Sequence, residues 1–295
     1  MIDFQEFKFP EDASAGLKDF SSKCGKGKEE RKQVKNALKE HKAQLSLQQE
    51  KLYAYDKYAV LIIFQAMDAA GKDGTIKHVM SGVNPQGCKV KSFKKPSEEE
   101  LDHTYLWRCI KEMPERGQIG IFNRSYYEEV LVARVHPEII LKQKLPGIGS
   151  EEDVTEQFWL RRYREINNLE EYFVNNGVQV LKFFLNVSKE EQKIRFIKRI
   201  KNPSKNWKIS LSDFSERQYW DQYQDAYEQM LKNTSTGYAP WYVIPADNKD
   251  IMRALVSVII TENLKSLKLH FPSIDEEKKR EIEKAEKWIH EENSQ

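Results

Sequence analysis

Two spacings of apolar residues take turns along this chain. Short apolar stretches at 60–65, 118–122, 179–185 and 241–244 have the length and bias of strands, and Lys89 to Phe93 reads as a further one. Longer stretches place apolar residues three and four apart. Residues 29–53 lack Pro and Gly and set Val34, Leu38, Leu45 and Leu52 at helical intervals, and 154–174, 189–200, 212–231 and 251–267 also read as helices. A shorter helix over 75–80 should stop near Gly82 and Pro85. Ser97, followed three residues later by Glu100, is a capping box that predicts a helix running to about Met113. Strands separated by helix-length segments require parallel crossovers. The expected fold is therefore α/β: a central parallel sheet, helices on both faces, and a ligand crevice at the carboxyl ends of the strands.

The chain ends read differently. Residues 1–28 mix Gly, Ser, Lys and acidic residues and are expected to wrap the surface without a core of their own. Residues 275–295 alternate Glu and Lys around few apolar positions, as an exposed helix at a subunit contact would. The expected organisation is an extension and helix over 1–50, one main domain over 51–270, and a C-terminal helix over 271–295.

The first strand runs into Ala66-Met67-Asp68-Ala69-Ala70-Gly71-Lys72-Asp73-Gly74-Thr75. Small residues let backbone N–H groups approach an anion, a helix N-terminus adds partial positive charge, and Lys72 adds a full one. Against the phosphate-loop pattern G-x-x-x-x-G-K-[ST], Ala66 replaces the first glycine and Asp73 the hydroxyl residue. A carboxylate at Asp68 or Asp73 can hold Mg²⁺ where a hydroxyl otherwise would. The segment Phe122-Asn123-Arg124-Ser125-Tyr126-Tyr127-Glu128 occupies the equivalent place after another strand, so Asn123 and Arg124 would meet the same phosphates. Guanidinium binds phosphate with two prongs and stays charged. A plainer role for Arg124 is pairing with Glu128 one turn on.

A third cluster, Arg195, Lys198, Arg199, Lys201, Lys205 and Lys208, contains no acidic residue. Arg195, Lys198 and Arg199 share a helix face, Pro203 ends that helix, and 204–209 would be a mobile connection. Such a segment could close as a lid over phosphates or be a solvated basic face. Lys89, Lys91, Lys94 and Lys95 form a weaker fourth patch.

Composition narrows the field. Lys+Arg number 48 against Asp+Glu 46, which argues against a protein that coats nucleic acid. With 39% hydrophobic and 32% charged residues, and no run of some 18 apolar residues, a folded protein without a membrane span is expected. Three scattered cysteines form no metal or disulfide pattern, and the N-terminus has no export signal, so a cytoplasmic location is expected.

Taken in order, Asp68-Ala69-Ala70-Gly71-Lys72-Asp73-Gly74, Phe122-Asn123-Arg124-Ser125-Tyr126-Tyr127, Val187–Gln192 with Arg195 and Arg199, Lys205-Asn206-Trp207-Lys208 and Ala239-Pro240-Trp241 resemble the polyphosphate kinase 2 family. The resemblance spans residues 51–267. It implies a three-layer P-loop kinase core related to thymidylate kinase with a helical lid, here about 195–215. It also implies reversible transfer of the terminal phosphoryl group of inorganic polyphosphate to AMP or ADP, giving ADP or ATP. The implied cofactor is Mg²⁺, with Mn²⁺ as substitute, and the implied assembly a homodimer or homotetramer. By position, Asp68 resembles the metal ligand, Lys72 the phosphate clamp, Arg124 the second-motif arginine, and Arg199 and Lys208 the lid cations. Asn123 stands where many members have Asp, and with Glu128 nearby this resembles the subgroup that accepts both AMP and ADP. The rival expectations are an ATP-dependent nucleotide kinase and a non-catalytic polyanion-binding protein.

Overall fold

The computed structural model describes residues 4–24 and 28–292, with side chains 28–39 and that of Lys208 outside the described set; Val34, Leu38 and the Lys208 side chain therefore lie outside the described residues, as does the end of the tail helix. The strands are β1 (Ala59–Gln65), β2 (Cys88–Ser92), β3 (Ile119–Asn123), β4 (Val178–Asn186) and β5 (Trp241–Pro245). They form one sheet in the order β2-β3-β1-β4-β5, every neighbouring pair parallel. All seven residues of β1 are buried, as a central strand covered on both faces must be.

The longer helices are α1 (Lys28–Tyr55), α2 (Lys72–Val79), α3 (Glu156–Asn175), α4 (Lys189–Ile200), α5 (Trp220–Thr234), α6 (Lys249–Ser266) and α7 (Glu276–Glu292). Leu45 and Leu52 of α1 are buried where α1 runs along α6, and α6 also packs on α2 and β5. On the other face, α3 and α5 pack together and α3 covers β4. The result is the expected three-layer α/β architecture.

The expected helix from Ser97 to Met113 is two separate turns, Glu98–Leu101 and Trp107–Ile110. The capping box forms, with Ser97 Oγ accepting from Glu100 N at 3.2 Å and Glu100 Oε2 from Ser97 N at 2.9 Å. Asp102, His103 and Thr104 are weak helix formers that compete for backbone groups, and the His103 ring instead stacks on Trp107 at 3.8 Å. Likewise 212–231 divides into Leu211–Ser215, a 3₁₀ turn at Glu216–Tyr219, and α5. The connection after Pro203 is a 3₁₀ helix, Pro203–Lys208, capped by Asn202, whose Oδ1 accepts from Ser204 N at 3.1 Å.

The N-terminal stretch has no core of its own, but it completes the common one. Lys8 bridges Tyr242 antiparallel, Phe9 N donates to Trp241 O at 2.8 Å, and Phe7, Phe9 and Leu17 are buried. This segment covers the free edge of β5. Every residue of α7 is exposed.

Candidate active site

Because β1 is central, the loop that leaves it opens between the carboxyl ends of β3 and β4. Ala69 (φ +60°) and Gly71 (φ +110°) are left-handed, the conformation that turns successive peptides around an anion. Gly71 is required: besides its φ, a Cβ there would stand 3.3 Å from the Met252 methyl. The loop is bracketed from α4. Gln192 Nε2 donates to Asp68 O at 2.9 Å, and the Arg195 guanidinium donates to Ala69 O at 3.2 Å, to Ala70 O, and to Ala246 O at 2.5 Å.

Lys72 opens α2 and is half-buried, its Nζ donating to Ala66 O at 2.6 Å. Burial, then the nearby Arg124 charge, lowers its pKa against the pull of Asp68, Glu128 and Asp73. Arg124 follows β3 with φ +66° and places Nη2 3.0 Å from Asp68 Oδ1 and Nη1 4.0 Å from Glu128 Oε2. The i,i+4 pairing with Glu128 is therefore real but secondary to the cross-loop contact with Asp68. Burial raises the pKa of Glu128. The Gln65 amide ties β1 to this loop: with its nitrogen 2.8 Å from Glu128 Oε1, its oxygen accepts from Ser125 N at 3.1 Å. Asn123 Nδ2 donates to Asp73 Oδ1 at 2.9 Å.

Asp68, Ala69, Ala70, Gly71, Lys72, Asp73, Asn123, Arg124 and Glu128 thus belong to one crevice, while Gly74 lies one residue further into α2, beside Arg253. Arg199 pairs with Asp213 at 3.3 Å, joining α4 to the Leu211–Ser215 turn. Burial, then the charge of Asp68, raises the pKa of Asp213.

Arg195 is not a lid cation. It is almost fully buried, spends its donors on carbonyls, and is held at Nε by Glu191 at 2.8 Å, so it positions the loop instead of meeting phosphate. Lys89 and Lys91 do share a strand face, but both reach Glu112, at 2.7 and 2.6 Å, which offsets their charge. Sequence reasoning missed Gln192, whose only signal was its place inside the α4 motif.

Among the described residues no group of three or more His, Cys, Asp or Glu side chains is arranged to hold a metal ion by itself. Asp68 and Asp73 are one or two hard oxygen donors beside a phosphate loop, which fits Mg²⁺, an ion that takes its remaining ligands from water and phosphate.

A 2-3-1-4-5 parallel sheet, a phosphate loop on its central strand and an arginine on the facing loop define a P-loop kinase-like protein. Residues 28–272 match the family model for polyphosphate kinase 2, and the chain belongs to that family. It is 48% identical over 281 residues to an ADP-polyphosphate phosphotransferase of Rhodopseudomonas palustris, covering 95% of this chain and 96% of the relative. It is 46% identical over 224 residues to an AMP/ADP-polyphosphate phosphotransferase of Meiothermus ruber, covering 76% and 78%. The crystal structure of polyphosphate kinase 2 from Arthrobacter aurescens superposes with a TM-score of 0.79 at 37% identity, covering 89% of each chain.

Proposed function

We propose that this protein transfers the terminal phosphoryl group of inorganic polyphosphate, reversibly, to ADP and to AMP. The observation that carries the reading is the convergence of Lys72, Arg124 and Asp68 at the phosphate loop, with the Arg124 guanidinium 3.0 Å from the carboxylate. The acceptor is a nucleotide phosphate whose second pKa is about 6, so it is already largely ionised at neutral pH and needs no strong base. Positioning and charge neutralisation then carry the rate.

In this reading the loop N–H groups and Lys72 hold the donor's terminal phosphates, and Arg124 bridges donor and acceptor. Arg199, from the segment expected to act as a lid, adds positive charge and helps exclude water. Asp68, with Asp73 as second donor, would hold Mg²⁺ or Mn²⁺, which when bound neutralises charge on the phosphate oxygens. Asn123 orients Asp73 without adding a third negative charge, and with Glu128 it supports use of both AMP and ADP.

The test is incubation with Mg²⁺, long-chain polyphosphate and either ADP or AMP, followed by nucleotide separation. ATP from ADP and ADP from AMP are expected. Transfer from ATP without any from polyphosphate would leave an ordinary nucleotide kinase, and salt-sensitive polyphosphate binding without interconversion a polyanion-binding protein.

We also infer a homodimer or homotetramer, supported by exposed Ile282, Trp288 and Ile289 on α7 and testable by light scattering. A cytoplasmic location is supported by thiols that form no disulfide: burial pushes Cys88 up to about 11 and Cys109 up to about 12. Among the described residues no helix is long and apolar enough to cross a membrane.

A further inference from the structure

One ion pair lies inside the molecule and outside the crevice. Lys182 stands mid-strand in β4, opposite Ile63 of β1 and Trp241 of β5, and the side chains of Lys182 and Glu170 are each 0% exposed. The three ammonium protons of Lys182 go to three acceptors: Glu170 Oε2 at 2.6 Å, Thr234 O at 2.6 Å and the Tyr127 hydroxyl oxygen at 2.9 Å. The second carboxylate oxygen of Glu170 accepts from the Tyr126 and Tyr127 hydroxyls, at 2.8 and 2.7 Å. The Trp241 indole meets the Tyr127 ring edge-on, with centroids 4.7 Å apart, and donates to Thr234 Oγ1 at 2.9 Å.

Stability alone does not account for this arrangement, since apolar replacements of similar volume commonly match or exceed a buried ion pair. What the pair touches does account for it. Tyr126 and Tyr127 follow Arg124 by two and three residues, and both are fully buried. Arg124 has φ +66°, which a side-chain-bearing residue keeps only where its surroundings hold it. On one side it is pinned by its own N–H to Phe64 O at 3.1 Å. On the other side Gln65 holds Ser125 N, and the two tyrosines that follow anchor the turn to the buried ion pair.

We propose that Glu170 and Lys182 are positioning residues for Arg124, acting through the hydroxyls of Tyr126 and Tyr127 to fix the turn that aims the guanidinium at Asp68. Two phenol oxygens, one carboxylate and one ammonium lock the chain immediately after the arginine, so the loop has one conformation. The inference rests on the phosphoryl-transfer role of Arg124.

The experiment is a double-mutant cycle on the full chain. Tyr127→Phe and Glu170→Gln are each made in the native and the Arg124→Ala backgrounds, with Tyr126→Phe as a milder variant that removes one hydroxyl. In the native background each should lower kcat about tenfold with little change in KM, because a misaimed group costs rate more than affinity. In the Arg124→Ala background the same changes should alter kcat less than about twofold, since their target is gone. Equal losses in both backgrounds, or no loss in the native one, would overturn the inference.

A second readout does not depend on turnover. The side-chain ¹⁵N–¹H signal of Arg124, assigned by its loss in Arg124→Lys, should move in Tyr127→Phe and in Tyr126→Phe. An unmoved signal overturns the inference even if the protein uses polyphosphate, whereas a wild-type protein without polyphosphate turnover overturns the functional reading alone.

Discussion

At the scale of single residues, charge and desolvation oppose one another throughout the crevice. Lys72 is half-buried with a lowered pKa, so its presence costs stability that an apolar side chain would not. Lys72→Met should therefore unfold at a temperature equal to or above wild type while losing at least about a hundredfold in kcat, the usual effect of removing one transition-state donor. Thermal unfolding and polyphosphate-dependent ATP formation measure the two sides, and near-native turnover would refute the role given to Lys72. Glu128 carries a linked pH signature. Its pKa is raised in the folded protein by burial, so the folded state holds that proton more tightly than the unfolded chain. Stability from this group is complete below the ordinary carboxylate value of about 4.3 and is lost as pH rises through the raised value. Glu128→Gln should thus unfold at a higher temperature than wild type at neutral pH, and the difference should shrink toward zero as pH falls below about 4. A constant difference across that range would show that the titration of Glu128 is not its cause. Asn123→Asp brings a second carboxylate against Asp73 Oδ1, now 2.9 Å from a donor. Less Mg²⁺ should then be needed for half-maximal activity, because a cation relieves the repulsion between the paired carboxylates, and a Mg²⁺ titration reads it.

At the scale of elements, α4 has two functions separated by one helical turn. Arg195 points inward and ties the phosphate loop to the carbonyls after β5, whereas Arg199 reaches across to Asp213 in the Leu211–Ser215 turn. The two should respond differently to the same conservative change. Lysine cannot span several carbonyls, so Arg195→Lys should leave at least one buried acceptor unsatisfied and cost about 1–3 kcal/mol in urea unfolding, together with turnover. Arg199→Lys should stay within about 1 kcal/mol, as a half-exposed ion pair would, while turnover still falls. If both variants lose stability equally, α4 is not divided in this way. Sequence spacing had placed both arginines on one helix face, which is correct to within a turn, but spacing carries no information about which of two neighbours looks at the sheet. The same limit explains the break at 102–106: the capping box was legible at Ser97 and Glu100, whereas the stacking of His103 on Trp107 depends on the loop's own closure. Four of the strands were legible because each is an apolar run between breakers, whereas β2, Cys88-Lys89-Val90-Lys91-Ser92, is a half-exposed edge strand. Their order was not, because crossover length shows that neighbours are parallel without showing on which side of β1 each one settles. Lys182, a lone charge inside an apolar strand, was the clearest visible signal left unread.

At the scale of the whole molecule, the site depends on a segment that never enters it. Residues 4–22 run from the edge of β5 to the loops that follow β4 and β5. Ser235 Oγ donates to Phe9 O at 2.9 Å, Asn186 Nδ2 to Phe20 O at 2.8 Å, and Asp247 N to Ser22 O at 3.0 Å. Asp247 is a node: its Oδ1 accepts from Ser188 N at 2.8 Å and its carbonyl from Arg195 at 3.3 Å, so the strap, the start of α4 and the phosphate loop share one anchor. Phe9 is fully buried and stacks on Phe20 with ring centroids 5.5 Å apart. Truncating such a side chain leaves a cavity, and Phe9→Ala should cost about 3–5 kcal/mol in urea unfolding. Because Phe9 touches no reacting group, the protein that remains folded at low temperature should keep its turnover per active molecule. Ser22→Ala removes only a 3.2 Å contact to Asp247 Oδ2 and should change stability by about 1 kcal/mol or less. A loss below about 1 kcal/mol for Phe9→Ala would mean that the strap merely lies on the surface, as its composition suggested, and that β5 needs no cover. The larger loss would make the first two dozen residues part of the core whose edge they close.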